Sequence, residues 1–220
     1  MAAPEFTSFP KDTVEFLTAL KKNNDRNWFS LNKNEYERAV KRPAERFCDE
    51  MTMRLQRLTG VEHGSKIFRI HRDVRFSKDK TPYNTHLHIT LTPRTNEQFP
   101  SAWFFGLDTG SIAFGTGFMM FDKARLEAYR TVVDGDNGED LVTLLDRLRK
   151  DSVRIGEPEL KRVPAPFPRD HQHAELLRHK SLSAWVDIGD PLAASRPDFA
   201  DFAEASFKRL TPLFSWFLSN

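Results

Sequence analysis

The residues best equipped for chemistry lie in one stretch, Lys66 to Lys80, which continues into Thr81-Pro82-Tyr83. It holds Lys66, Arg69, Arg72, Arg75, Lys78 and Lys80 against only Asp73 and Asp79, a local excess of four positive charges. An arginine fork can grip two oxygens at once, so this concentration suits a carboxylate or a phosphate. Phe68, Ile70, Val74 and Phe76 alternate with Arg69, His71, Asp73 and Arg75, which is the period of a β-strand. On such a strand Arg69, His71, Asp73 and Arg75 share one face. Arg72 falls among the apolar residues, where a buried guanidinium demands an acid or several carbonyls. If Phe76 and Thr85 flank a hairpin loop, His86 and His88 lie across from Arg75 and Asp73. The expected ligand-binding set is therefore Arg69, Arg72, Arg75, Lys78, Lys80 and Tyr83. Arg69 and Arg75 hold the anion, while Lys78, Lys80 and Tyr83 close over it from the loop. Asp73 with His71 or His88 is the acid–base pair available for catalysis, and no reaction follows from it.

Rival readings use the same residues. Arg-x-x-Arg-x-x-Arg is also what a plain solvated face looks like, and exposed ion pairs contribute little. A basic strand can track a phosphate backbone, which makes nucleic acid an alternative partner. The whole chain argues against that, because 33 basic and 31 acidic residues leave a net charge of only +2. His86-x-His88 with Asp73 or His71 has the outline of a three-ligand metal site, but arginines nearby repel a cation. No metal and no cofactor are assigned. His171-x-His173 sits in a proline-rich stretch and reads as solvated. The phosphate-loop, dinucleotide-binding and nucleophile-elbow signatures are absent.

The elements that position the block follow from periodicity. Val14, Leu17 and Leu20 mark a first helix that ends at Asn23-Asn24, and Asp25 caps a second carrying Trp28, Phe29, Tyr36 and Val40. Pro43 is expected to interrupt that pattern. A third helix carries Phe47, Met51, Leu55 and Leu58, and Gly60 stops it. After the 66–76 strand, Leu87, Ile89 and Leu91 alternate with His88, Thr90 and Thr92. Further strands are predicted over 102–107 and 112–118, so the four form an antiparallel meander. Asp122 caps a helix, Leu141 to Leu148 form another, and 151–171 read as an irregular connection with four prolines. A short helix over 174–180, a strand over 185–188 and a long Phe-rich helix complete the chain. The fold class is α+β, a mainly antiparallel sheet of four to six strands packed against helices from the N- and C-terminal parts. Residues 1–220 read as a single domain, with no linker, repeat or low-complexity tract to divide it.

Nineteen Phe against three Tyr favour a thick, dry core. The one cysteine, Cys48, excludes an intramolecular disulfide and reads as a packed thiol, so a cytoplasmic location is expected. Met1 to Phe9 lack the features of a signal peptide, and no apolar run approaches the roughly 20 residues of a membrane span. Nothing in the sequence fixes the oligomeric state.

Four runs carry a resemblance: Asn23-Asn-Asp-Arg-Asn-Trp-Phe29, Phe68 to Tyr83 with its Arg-Asp-Val-Arg-Phe-Ser-Lys-Asp-Lys block, Leu160-Lys-Arg-Val-Pro164 and Leu210-Thr-Pro-Leu-Phe214. Together they resemble the domain-of-unknown-function family 2461 from about Phe6 to Phe217. The family usually has a lysine after the Pro-Tyr pair, where this chain has Asn84. It tends to place a glycine after the position of Pro164, where this chain has Ala165-Pro166. The resemblance implies one intracellular domain, brings no established activity or cofactor, and marks 69–83 as the family's most distinctive block.

Overall fold

The computed structural model describes residues 6–95 and 101–220. The first helix, α1 (Asp12–Lys22), buries Val14, Phe16, Leu17 and Leu20 on one stripe. Asp12 and Glu15 lie in its first turn and Lys21 and Lys22 in its last, matching the helix dipole. Asp25 then caps α2 (Arg26–Leu31) by accepting the Trp28 amide at 2.9 Å. After α3 (Lys33–Tyr36), a π-helical turn (Glu37–Lys41) runs straight into α4 (Arg42–Thr59). The interruption expected at Pro43 is this π-helical turn and not a chain break, and the proline sits in the first turn of α4. It still leaves the Ala39 carbonyl, four residues back, without its usual amide. The Thr13 hydroxyl of α1 donates to that carbonyl at 2.6 Å, which satisfies it and ties the two helices together.

The strands are β1 (His63–Ile67), β2 (Leu87–Pro93), β3 (Ala102–Leu107) and β4 (Ile112–Phe118), then β5 (Arg154–Ile155) and β6 (Leu182–Ile188). They form one antiparallel six-stranded sheet in the order β1-β2-β3-β4-β6-β5. The predicted meander is present. Between β4 and β6 come α5 (Lys123–Asp134), α6 (Asn137–Lys150) and α7 (Ala174–Leu177), and α8 (Phe199–Ser219) closes the chain. β5 pairs within the stretch expected to be irregular.

One face of the sheet carries the cross-strand row Ile89, Phe105, Phe114 and Val186, all buried. α4 and α8 cover it. Phe47 meets Phe105 at 4.5 Å between ring centroids, Phe207 meets Phe114 edge-on at 5.2 Å, and Phe214 stacks on Trp103 at 4.5 Å. This is the Phe-rich core that the composition implies. The opposite face carries the row Thr90, Phe104, Gly115, Trp185 and Arg154. A side chain at Gly115 would meet the Trp185 ring at 2.5 Å. Without one, the ring lies across the strand, stacks on Phe104 at 5.6 Å and takes the Arg154 guanidinium at 5.5 Å. No helix among the described residues is long and apolar enough to cross a membrane.

Candidate anion-binding site

The strand predicted over 66–76 ends at Ile67. Phe68 still donates its amide to the His88 carbonyl at 2.9 Å, but the next pairing is an isolated bridge between His71 and Tyr83. An advance of three residues on the outgoing arm thus meets five on the returning arm, and the ladder breaks. Past that bridge, side chains and a proline keep the ladder from resuming. Pro82 has no N–H to give, Asp79 accepts the Thr81 amide at 2.9 Å, and Asp73 accepts the Arg75 amide at 3.2 Å. The apolar alternation has no face to bury either, since Phe76 is 96% exposed and Phe68 49%. The common face expected for Arg69, His71, Asp73 and Arg75, opposite His86 and His88, therefore does not form.

Packing holds this irregular arm in place. Ile70 and Tyr83 are buried in a second cluster with Phe16, Leu20, Phe29 and Val40. The Tyr83 ring stacks on Phe29 at 4.1 Å. Asn24, just before α2, donates to the Tyr83 carbonyl at 2.9 Å and accepts its amide at 3.1 Å. Across the arm, the Arg72 amide reaches the Pro82 carbonyl at 2.8 Å and the Asn84 amide reaches the Ile70 carbonyl at 2.7 Å.

Arg72 is the fixed cation of the arm, with a side chain one quarter exposed. Its Nη1 donates to Asp79 Oδ2 at 2.5 Å, to the Thr81 carbonyl at 3.2 Å and to the Thr81 hydroxyl. The Thr81 amide, the Arg72 guanidinium and the Thr81 hydroxyl together lower the Asp79 pKa from 3.8 to about 2. Arg72 lies on the wall of a cleft of about 450 Å³, lined also by Lys21, Asn24, Asp79, Thr81, Tyr83, Asn84, Thr85 and His86. His86 stacks on His88 at 3.9 Å. Burial lowers both histidine pKa values, and for His88 the neighbouring His86 takes it further, to about 4. At neutral pH the cleft's charge thus comes from Lys21 and Arg72 against Asp79.

The other predicted residues are dispersed. Arg69 and His71 line a separate cleft of about 320 Å³, with Phe29, Tyr36, Glu37 and Glu45. Asp73 grips Arg75 through Nε at 2.9 Å and Nη2 at 2.7 Å, and both are exposed. Arg75 lowers the Asp73 pKa. Lys80 donates to the Val74 carbonyl at 2.9 Å, whereas Lys78 is exposed with no ion pair among the described residues. Tyr83 is a buried anchor beneath the cleft. Lys21, Asn24, Asn84 and Thr85 were not expected at a site. Asn24 lies in the Asn23–Phe29 run and Asn84 directly follows the 68–83 block, but nothing in the sequence pointed to Lys21. Cys48 is buried, and burial pushes its thiol up to about 11.

A family model described as conserved hypothetical protein (DUF2461) matches residues 12–216, and the chain belongs to that family. No curated protein matches it.

Proposed function

We propose that this family member is a single-domain cytoplasmic protein that binds a small carboxylate- or phosphate-bearing molecule in the cleft between α1 and the 68–86 arm. One observation carries the reading. Every hydrogen bond of the Arg72 guanidinium to the described residues goes through Nη1, so Asp79 and Thr81 fix the group from one end. The Nε and Nη2 hydrogens remain for a ligand, and they form the edge that matches two oxygens of a carboxylate or phosphate. Lys21, Asn84 and Thr85 supply further donors around the same cleft. A volume of about 450 Å³ is the size of a small-molecule site. For Arg75 a structural reading is favoured, because Asp73 already occupies its fork.

Titration of the protein with inorganic phosphate and with succinate, followed by amide NMR, tests the proposal. The Thr81, Asn84 and Thr85 signals should shift and saturate with one of the two anions. Arg72→Lys keeps a charge that can pair with Asp79 but removes the fork, and it should abolish the shifts while the protein stays folded. Shifts unchanged in that variant, or none with either anion in the wild type, would refute the cleft as a site.

A further inference from the structure

A second cleft, of about 390 Å³, is built from the connection between β5 and β6. Four cations line it, Lys161, Arg162, Arg169 and Arg178, together with Val163 and Ala174. No carboxylate lines it. None of the four cations makes an ion pair among the described residues. The flanking acids are engaged elsewhere. Glu159 accepts the Lys180 amide at 2.6 Å and the Ser181 hydroxyl, and Glu175 pairs with Arg149 at 2.7 Å. Asp170 follows Arg169 but does not line the cleft. In the first cleft, by contrast, Asp79 answers the arginine.

The backbone holds these cations together. The Leu160 amide donates to the Arg178 carbonyl at 3.0 Å, which sets Lys161 and Arg162 beside Arg178. The turn in which the Phe167 amide meets the Pro164 carbonyl at 3.2 Å brings the chain round to Arg169. Val163 and Phe167 pack against the main core and anchor the loop. Four like charges around one concavity repel one another, so the cluster opposes folding and gains most from an anion of matching charge. One carboxylate neutralises a single cation. Two linked phosphates carry enough charge for the whole set, and each presents oxygens to a guanidinium fork.

We infer that this cleft binds a phosphate-rich small molecule bearing at least two phosphate groups. Inorganic pyrophosphate is the probe, titrated calorimetrically into the full chain at about 50 mM salt, where screening is weak. Pyrophosphate should bind more tightly than orthophosphate. Arg162→Gln with Arg169→Gln should weaken it about tenfold to a hundredfold, the loss expected for charge-assisted bonds. Arg72→Lys should leave it unchanged, which separates this cleft from the first. Both arginines are exposed, so the double variant should keep or raise the melting temperature without ligand. Absent pyrophosphate binding, or binding unchanged in the double variant, overturns the inference. So does a drop of several degrees in the unliganded variant, which would make the cations structural. Tighter binding of a single-stranded RNA oligonucleotide through the same arginines would overturn it too, in favour of a polymer-binding face.

Discussion

Asn24 is the residue whose removal should separate the site from the fold. Its amide makes two bonds to the backbone of Tyr83, at 2.9 and 3.1 Å, and among the described residues no other side chain bonds both the amide and the carbonyl of Tyr83. At about 1 kcal/mol net per bond, Asn24→Ala should cost about 2 kcal/mol. The sheet and the main core do not depend on those bonds, so the loss should appear as local opening of residues 68–86. An opening equilibrium shifts about 30-fold for 2 kcal/mol. Native-state hydrogen exchange reads this directly. Protection of the Arg72 and Asn84 amides, which bond Pro82 and Ile70, should fall by that factor, while amides in β3 and β4 keep theirs. Asn24→Asp keeps the acceptor for the Tyr83 amide but sets a carboxylate against the Tyr83 carbonyl, so it should be no better than alanine. Equal losses across sheet and arm, or no loss in the arm, would show that Asn24 does not hold the site.

Arg54 is buried on α4 and bonds Glu50 at 2.6 Å and Asp201 and Glu204 of α8 at 2.7 Å each. Arg54→Ala leaves Glu50 buried without that cation and should cost about 3–5 kcal/mol in urea unfolding, whereas Arg54→Met with Glu50→Leu should recover most of it. Both histidines of the stacked pair are held neutral in the fold, His88 down to about 4, while the unfolded chain protonates near the ordinary 6.5. Stability should therefore be full above pH 6.5 and decline as pH falls toward 4, by about 1 kcal/mol for His88 after allowing for its exposure to solvent. His88→Gln should flatten that part of the urea-midpoint profile, and an unchanged slope would refute the assignment.

The sheet was legible where alternation met a partner. β2, β3 and β4 fall where the sequence places them, over 87–93, 102–107 and 112–118, because each has a neighbour in register and a helix over one face. The 66–76 run shows the same alternation, yet only its first residues find a ladder. Periodicity records which residues are apolar; it does not record whether Pro82, Asp79 and Asp73 on the same hairpin will divert the backbone bonds. β5 escaped notice because two residues carry no period. The site suffered from the same error. With the strand gone, Arg69 and Arg72 turn to different clefts, and the Arg72 cleft is shared with Lys21 and Asn24, residues some fifty positions away that only the tertiary fold brings near.

The break in the strand also explains why the proposed site rests on Arg72 and not on its neighbours. On a regular ladder each arginine would project from a straight arm with its side chain free, and an anion would have to immobilise it, at up to about 2 kcal/mol of lost rotamer freedom. The irregular arm brings Asp79 and Thr81 round to the Nη1 end of Arg72 and holds the guanidinium before a ligand arrives. Tyr83 on Phe29 and the two bonds from Asn24 keep that arrangement against the second core cluster. Arg75 is also held, but Asp73 takes Nε and Nη2, the edge an anion would use. Arg69 has its fork free, and no hydrogen bond or ion pair to the described residues fixes it. Of the three arginines, only Arg72 combines an anchored end with an open edge, and preorganisation of that kind is what lets a single guanidinium select a small anion in water.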